Sequence, residues 1–203
     1  FTLADGKEYV KTAIAKGMDV DGFAGRLSFF WAVGMNFYLE IAKMRAARLL
    51  WCRIMKGFDA KNPKSLMLRT HSQTSGWSLT EQDPYNNIVR TTVEALAAVL
   101  GGTQSLHTNS RDEALALPTE ESVRRAVAIQ LIIARELGLN KNQNPWQGSF
   151  ALEHLTNMVE EAVYKEFESI SERGGVLGAM ESMYQRGKIQ EESLYYEHRK
   201  HDG

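Results

Sequence analysis

The sequence predicts an α/β fold that forms part, about half, of a (β/α)₈ barrel. Segments rich in residues that favour strands begin near residues 27, 65 and 103, at intervals of about 38 residues. The segments between them have the periodicity of amphipathic helices, and this alternation is typical of parallel βαβ units. A fourth unit is expected to begin near residues 144–148. Four such units are half of an eight-stranded barrel.

The first half of the chain predicts two strand-and-helix units. A helix over residues 5–17 ends at a glycine, and a strand over residues 26–33 is rich in aromatic residues and lies between two glycines. A longer helix follows over residues 36–56, with apolar residues near one face. The second strand is predicted over residues 65–71.

The segment from Arg69 to Trp77 is predicted to be a polar loop at the end of the second strand. It carries an arginine, a histidine, a glutamine and four hydroxyl groups before Gly76, and these groups would be costly to bury without partners. In a parallel α/β fold, ligands bind at the carboxyl ends of the strands. The alternative is a loop whose polar groups are satisfied by its own backbone and by water.

A third unit follows this segment. A helix is predicted from Thr80 to about Gly101, and a third strand over residues 103–109. The next helix begins after Thr119, whose side chain can cap it, and ends at Gly138.

The end of the chain is predicted to be helical. A long helix covers residues 150–172, and a charged helical tail starts at residue 184. We expect residues 1–175 to be the C-terminal portion of the barrel. Residues 176–203 would then be a helical, charged extension that leads towards a further segment.

The strand residues predict a barrel with a polar lumen rather than the usual filling of Val, Ile and Leu. Alternation places small polar residues on one face of the third strand, and the second strand ends in polar residues of one parity. The residues concerned are Thr103, Ser105, His107 and Asn109, together with Arg69, His71 and Gln73. Such a face would leave space for a ligand that threads the barrel. The alternative is that it points at a neighbouring helix.

Composition limits the classes of partner. The chain has 24 basic and 25 acidic residues, so neither a nucleic acid nor an anionic membrane is an expected partner. The single cysteine, Cys52, excludes an internal disulfide and fits a cytoplasmic location. Phosphate-binding glycine loops and Cys-x-x-Cys are absent, and the histidines lack metal-ligand spacing, so no metal site is expected.

Five stretches of the chain resemble the adenosylcobalamin-dependent acyl-CoA mutases, which form the methylmalonyl-CoA mutase family. They are Arg26-Leu-Ser-Phe-Phe-Trp, Gly34-Met-Asn-Phe, Leu68-Arg-Thr-His-Ser-Gln-Thr-Ser-Gly-Trp-Ser-Leu-Thr, Tyr85-Asn-Asn-Ile-Val-Arg and Gly102-Thr-Gln-Ser-Leu-His-Thr-Asn. The resemblance runs over essentially all 203 residues. The tail that starts Gly187-Lys-Ile-Gln-Glu-Glu is more similar to the isobutyryl-CoA mutase branch, including its forms fused to a GTPase chaperone.

This resemblance implies an isomerase, an intramolecular transferase that rearranges the carbon skeleton of a branched acyl-CoA. The isobutyryl branch would convert isobutyryl-CoA to n-butyryl-CoA, and the alternative is the conversion of methylmalonyl-CoA to succinyl-CoA. The cofactor, adenosylcobalamin, would supply the radical chemistry, while the protein binds, orients and shields. An alternative from another class is a non-catalytic barrel fragment that acts as an assembly module.

The resemblance also implies partners outside this chain. The family's Asp-x-His-x-x-Gly signature, whose histidine ligates cobalt, is absent here, and the family's key active-site residues would lie upstream of Phe1. We therefore expect a separate cobalamin-binding domain or subunit. The family resemblance further implies an acyl-CoA substrate and a homo-oligomer, and the resemblance of the tail implies a GTPase chaperone domain. The fragment alone would be inactive and would hold no catalytic residue.

The resemblance implies coenzyme A contacts at Arg26, Ser28 and Lys64. A guanidinium fork suits a phosphate, and a serine hydroxyl suits the pantetheine chain. The alternatives are a surface ion pair for Arg26 and an ordinary solvated side chain for Lys64.

Cobalamin contacts are implied at Gln73, Gly76, Glu113 and Ala116. A glutamine can donate to and accept from corrin amides, and a glycine lets the backbone approach a flat macrocycle. Glu113 would hold the ribose hydroxyls, or else would be a solvent-facing acid in a turn. Further residues predicted to line the lumen are Arg69, His71, Gln104 and His107.

Overall fold

The computed structural model describes residues 1–202, apart from the side chain of residue 200. The chain divides into two compact units. The larger unit runs from Asp19 to Glu160, and the smaller one combines Phe1–Met18 with the chain from Glu161 onward.

Nine α-helices are present in residues 1–202. They are α1 (Thr2–Ala15), α2 (Val20–Phe23), α3 (Phe37–Gly57), α4 (Pro63–Leu66), α5 (Asn86–Leu100), α6 (Glu120–Leu131), α7 (Phe150–Glu172), α8 (Gly175–Glu181) and α9 (Tyr184–Asp202). Short 3₁₀ turns lie at Ala24–Arg26, Gly76–Ser78 and Leu139–Lys141, and a π-helical turn at Ile132–Glu136 continues α6. The predicted long helix and helical tail are confirmed.

The larger unit is built on a parallel sheet of three strands in the order β1-β2-β3. The strands are β1 (Phe29–Val33), β2 (Thr70–Thr74) and β3 (Ser105–His107). The register pairs Phe30 with His71 and His71 with Ser105. Helices connect each strand to the next, which confirms the predicted α/β class and the parallel βαβ units.

One face of the sheet packs against helices. Phe29 and Val33 are buried, and the Phe29 ring meets Trp51 of α3 edge-on with ring centroids 4.8 Å apart. Val33 also joins Ile41 of α3 and Ala97 of α5 in a buried apolar cluster. The small alanine side chains let α5 approach the sheet closely, so this face carries the core of the larger unit.

The second strand lies later in the chain than the sequence predicted. Residues 63–66 form α4, where Pro63 stands at the start of the helix and the Asn62 side chain accepts a hydrogen bond from the Lys64 N–H at 3.0 Å. The strand prediction over 65–71 was therefore wrong for most of its length. The prediction of a loop from Arg69 to Trp77 was also wrong for the part that forms β2.

β2 has no apolar residue. It can still be a buried strand, because the hydroxyl groups on its helix-facing side have hydrogen-bond partners. Thr70, Ser72 and Thr74 are buried on that face. Their hydroxyls bond to the His71 carbonyl, to the Thr103 hydroxyl and to the Asn109 N–H, at 3.0, 2.8 and 2.9 Å. Small polar residues therefore face the helices on this parity of β2, which is not the parity that the sequence prediction concerned.

The third and fourth units are shorter than predicted. β3 covers three residues rather than the predicted seven, because Thr103 and Asn109 turn their side chains towards β2. Within residues 1–202 no strand forms near residues 144–148, where Asn144 has a φ of 47° and Gly148 a φ of 81°. The prediction of a fourth strand there was wrong.

The helix predicted from Thr80 begins later, at Asn86. Asp83 has a φ of 47° and is followed by Pro84, and this backbone conformation cannot be part of a right-handed helix. Residues 80–85 therefore form a turn between β2 and α5.

The smaller unit is helical. Ala4 of α1 packs with Ile170 of α7 and with Val176 and Ala179 of α8. The division of the chain at residue 175 stays a prediction. Across residues 1–202, no helix combines the length and the apolarity that crossing a membrane requires.

Candidate functional site

The face of the sheet opposite the core carries polar and aromatic side chains. Alternation and register place six residues there, in two rows across the strands: Phe30, His71 and Ser105, then Ala32, Gln73 and His107. Phe30 is 58% exposed, whereas its neighbours in sequence Phe29 and Trp31 are largely covered. We call this surface the open face.

The first row of the open face is a connected set. His71 Nδ1 lies 2.7 Å from the Ser105 hydroxyl, and the His71 ring lies against the Phe30 ring with centroids 5.2 Å apart. Such a row offers a ligand an aromatic surface, an imidazole and a hydroxyl side by side. His71 and His107 lie on one face of adjacent strands, and the prediction that this face lines a barrel lumen stays a prediction.

The amino ends of β1 and β2 bring basic residues together. Arg69 donates a guanidinium hydrogen bond to the Gly25 carbonyl, and a Cβ added at Gly25 would lie 3.4 Å from Lys64 Cβ. Arg26 follows Gly25, and Ser28 precedes β1. All four predicted residues here are exposed, so their side chains can reach an anionic ligand at this edge.

Gln104 belongs to the same edge rather than to the open face. Its side-chain oxygen accepts from the Thr70 N–H at 2.7 Å, and its side-chain nitrogen donates to the Gly102 carbonyl at 3.0 Å. The amide therefore completes backbone hydrogen bonding at the start of β2 and β3, which explains its position before β3.

The carboxyl ends of β2 and β3 bring three of the four predicted cobalamin contacts together. Gln73 Nε2 donates to Asn109 Oδ1 at 2.9 Å. A Cβ added at Gly76 would lie 3.3 Å from Asn109 Nδ2 and 3.8 Å from Glu113 Cγ. Ala116 lies in the exposed segment that follows, where its N–H bonds to the Asp112 carbonyl at 3.0 Å.

Asn109 lies at the centre of this group; the sequence placed it on the polar face of the third strand but gave it no individual role. It is 2% exposed, donates its N–H to Thr74 Oγ1 at 2.9 Å and its amide to the Thr74 carbonyl at 2.7 Å. It thus fixes the end of β3 to the end of β2 and orients Gln73. Its position just after a strand, at the ligand-binding end, is the signal that could have identified it.

Asp112, an acid next to Glu113 in the sequence, holds the segment after β3 in place. Burial would raise the pKa of Asp112, but hydrogen bonds from the Ser122 hydroxyl at 2.6 Å and the Thr119 N–H at 3.0 Å hold that pKa well below its usual range. Asp112, as a carboxylate, therefore ties the segment that carries Glu113 to the start of α6.

Glu94 of α5 lies next to Ser78, in the Ser75–Ser78 turn that follows β2, and sequence reasoning did not single it out. Burial raises the pKa of Glu94 to about 7, although a hydrogen bond to the Ser78 hydroxyl opposes the shift. The signal in the sequence is an acid inside an alanine-rich stretch of a helix that packs on the sheet.

Within residues 1–202, no three His, Cys, Asp or Glu side chains are grouped to hold a metal ion.

Comparison with known proteins gives one family. A family model described as "Methylmalonyl-CoA mutase" matches residues 1–203. The chain is 58% identical over 192 residues to "Methylmalonyl-CoA mutase, mitochondrial" from Homo sapiens. The matched stretch covers 94% of this chain and 26% of that protein. It is 56% identical over 191 residues to "Methylmalonyl-CoA mutase large subunit" from Porphyromonas gingivalis, covering 94% and 27%.

A further relative is "Methylmalonyl-CoA mutase" from Rhizobium meliloti, which is 58% identical over 191 residues, again 94% of this chain and 27% of the relative. The chain thus spans about a quarter of the length of the curated relatives it matches. Since the family model covers the whole sequence, the chain belongs to the methylmalonyl-CoA mutase family.

Proposed function

We propose that this chain is part of the substrate domain of an adenosylcobalamin-dependent isomerase that converts methylmalonyl-CoA to succinyl-CoA. The observation that carries the proposal is the identity of 56–58% over 94% of the chain to proteins named methylmalonyl-CoA mutase. The activity is that of the whole protein, of which this chain supplies part of the binding surface.

Methylmalonyl-CoA replaces isobutyryl-CoA as the favoured substrate. The similarity of the tail from Gly187 onward to isobutyryl-CoA mutases was the basis of the earlier expectation. The identity to methylmalonyl-CoA mutases extends over nearly the whole chain, whereas the other similarity concerns the tail alone. It therefore supports methylmalonyl-CoA as the substrate.

Coenzyme A fits the amino end of the open face. The Arg69 guanidinium bonds to the Gly25 carbonyl, Lys64 has its Cβ beside Gly25, and Arg26 follows Gly25 in sequence. Ser28 adds an exposed hydroxyl. Phosphates prefer such a cluster because guanidinium groups bind them in two-point hydrogen bonds. The pantetheine chain would then run along the face past His71, whose imidazole and Ser105 partner can bond amides.

Cobalamin fits the carboxyl end of the open face. Glu113 offers a carboxylate beside Gly76, and Gln73 offers an amide next to Asn109, which also lies beside Gly76. The missing side chain at Gly76 leaves its backbone accessible. These groups match a flat ligand that carries amides and ribose hydroxyls. When bound, the cofactor supplies the radical chemistry, whereas the residues of this chain bind it, orient it and limit the access of water.

A (β/α)₈ barrel is the architecture that we propose for the complete domain. β1 and β3 are the edges of the three-stranded sheet in the described residues, and a barrel would pair both edges. A cleft of about 810 Å³ borders β3 and is lined by Arg48, Gln104, Gln130 and Asn140 among others. The remaining part of the longer protein would supply the other strands.

The expected partners remain proposals. They are an acyl-CoA, a cobalamin-binding domain or subunit, a GTPase chaperone and further copies of the protein. The expected cytoplasmic location also stays a prediction, since relatives named as mitochondrial are among the matches.

The test uses the full-length protein with adenosylcobalamin. Methylmalonyl-CoA and isobutyryl-CoA are supplied separately, and the products are separated by chromatography. We expect succinyl-CoA from the first substrate. Formation of n-butyryl-CoA alone would restore the isobutyryl assignment, and failure to bind cobalamin would favour the assembly module.

Two neighbouring lysines provide a matched control for the coenzyme A site. Lys64→Ala removes the cationic side chain of the residue whose Cβ lies beside Gly25, and we expect a higher KM for the acyl-CoA. Lys61→Ala removes an exposed lysine that pairs only weakly with Asp59 at 3.6 Å, and KM should not change. Equal KM values for both variants would remove Lys64 from the site.

A further inference from the structure

Glu94 of α5 is fully buried next to the turn that carries Gly76. Its side chain is 0% exposed, and its Oε1 lies 2.5 Å from the Ser78 hydroxyl. Its other oxygen, Oε2, has no hydrogen-bond partner among the described residues. An ionised carboxylate in such surroundings would be costly.

The charged groups around Glu94 give it little compensation. Glu40 of α3 acts on it unfavourably and Arg90 of α5 favourably. Glu40 is itself paired with Lys43, and Arg90 donates to the Asn87 side chain at 2.8 Å. The surroundings therefore favour a neutral acid at Glu94.

The two hydrogen bonds at the Ser78 hydroxyl also indicate that Glu94 is protonated. The Ser78 hydroxyl lies 2.8 Å from the Ser75 carbonyl as well as 2.5 Å from Glu94. A hydroxyl has one proton, so it cannot donate to a carbonyl and to a carboxylate at once. A protonated Glu94 solves this, because the acid donates to the hydroxyl and the hydroxyl donates to the carbonyl.

This relay holds the turn Ser75–Ser78 at one end, and a backbone hydrogen bond holds it at the other. The Ser75 N–H donates to the Val33 carbonyl of β1 at 2.8 Å. Between these two points lie Gly76 and Trp77, and Trp77 is 51% exposed. The position of Gly76 therefore depends on both the sheet and Glu94.

We propose that Glu94 is a positioning residue that, as a neutral carboxylic acid, holds the Ser75–Ser78 turn in the conformation that receives the cofactor. The inference rests on the proposed function, because it takes Gly76 as a cobalamin contact. Ionisation of Glu94 would leave two acceptors for the single Ser78 proton, so the hydroxyl would turn to the carboxylate and its bond to the Ser75 carbonyl within the turn would be lost.

The test measures the affinity of the full-length protein for adenosylcobalamin between pH 6 and pH 8, by the change in visible absorbance. Burial raises the pKa of Glu94 to about 7, so its neutral fraction and the affinity of the wild type should fall about tenfold over this range. Glu94→Gln keeps a neutral donor at every pH, so its affinity should be independent of pH. Glu120→Gln, an exposed acid on α6, should behave as the wild type.

The outcomes separate the two proposals. Equal pH dependence in the wild type and in Glu94→Gln would overturn the role of Glu94 while the proposed function stands. If the wild type binds no cobalamin at any pH, the proposed function fails and this inference with it.

A second variant covers the case in which Glu94→Gln does not fold. Ser78→Ala removes the hydroxyl that transmits the state of Glu94 to the turn. We expect weaker binding of cobalamin that no longer varies with pH. A pH dependence equal to that of the wild type would overturn the inference.

Discussion

Replacing Asn87 by alanine should destabilise the larger unit because this side chain uses its full hydrogen-bonding capacity. It is 0% exposed. Its oxygen accepts from the Thr80 N–H at 3.1 Å and from Arg90 at 2.8 Å, and its nitrogen donates to the carbonyls of Thr80 and Arg111 at 2.8 and 2.9 Å. An amide offers two donors and two acceptor positions, so all four are occupied.

The size of the effect follows from these four bonds. Each hydrogen bond contributes about 1 kcal/mol net, and a buried group left without a partner costs about 1–3 kcal/mol. Thr80 is half-buried, so water can replace part of what the variant loses. We therefore expect Asn87→Ala to lower the free energy of unfolding by about 2–4 kcal/mol.

Urea unfolding of the full-length protein, followed by tryptophan fluorescence, measures this change. Asn86→Ala is the matched control, since Asn86 is the exposed neighbour in the same helix and should change stability by less than about 0.5 kcal/mol. Asn87→Asp keeps the shape but places an acceptor against two carbonyls, so it should also destabilise. A loss below about 1 kcal/mol for Asn87→Ala would show that these bonds do not hold the turn.

Three further predictions concern the pH dependence of stability, the binding of cobalamin and the binding of the acyl-CoA. The folded-state pKa of Glu94, about 7, lies above its usual 4.5, so the folded protein binds the proton more tightly and loses stability as pH rises from 4.5 through 7, by up to about 3 kcal/mol. Glu94→Gln should remove this part of the dependence in urea unfolding at pH 5 and pH 8, and an unchanged slope would contradict the assignment. Gln73→Ala should weaken cobalamin binding by about tenfold, the effect of one lost polar contact of about 1.4 kcal/mol, and unaltered affinity in an absorbance titration would remove Gln73 from the site. Arg26→Ala should raise the KM for the acyl-CoA by about tenfold with little change in kcat, and an unchanged KM in steady-state kinetics would remove Arg26 from the contacts.

The alternation of strands and helices could be predicted because it depends on local patterns. The aromatic stretch of β1 and the long helix α7 have strong signals of their own, and Gly174 and Gly175 mark the end of α7 with φ values of 86° and 82°. The family motifs also led to residues that the fold brings together at the two ends of the open face.

The position of β2 could not be predicted from local patterns. Ser65-Leu-Met-Leu is more apolar than Thr70-His-Ser-Gln-Thr, so a search for apolar strands chooses the wrong segment. What makes residues 70–74 a strand is partners far away in sequence, namely Thr103 and Asn109, which bond to the Ser72 hydroxyl and to Thr74. Such partners become visible only when the strands are placed side by side.

β2 also explains how the two ends of the candidate site keep their geometry. Its helix-facing side is held by hydrogen bonds: Gln104 bonds to the Thr70 backbone at the amino end, and Asn109 bonds to Thr74 at the carboxyl end. Apolar packing would permit small shifts between strands, whereas directional bonds at both ends fix the register. The same strand therefore sets Arg69 at the amino end, where we propose that coenzyme A binds, and Gln73 at the carboxyl end, where we propose that cobalamin binds.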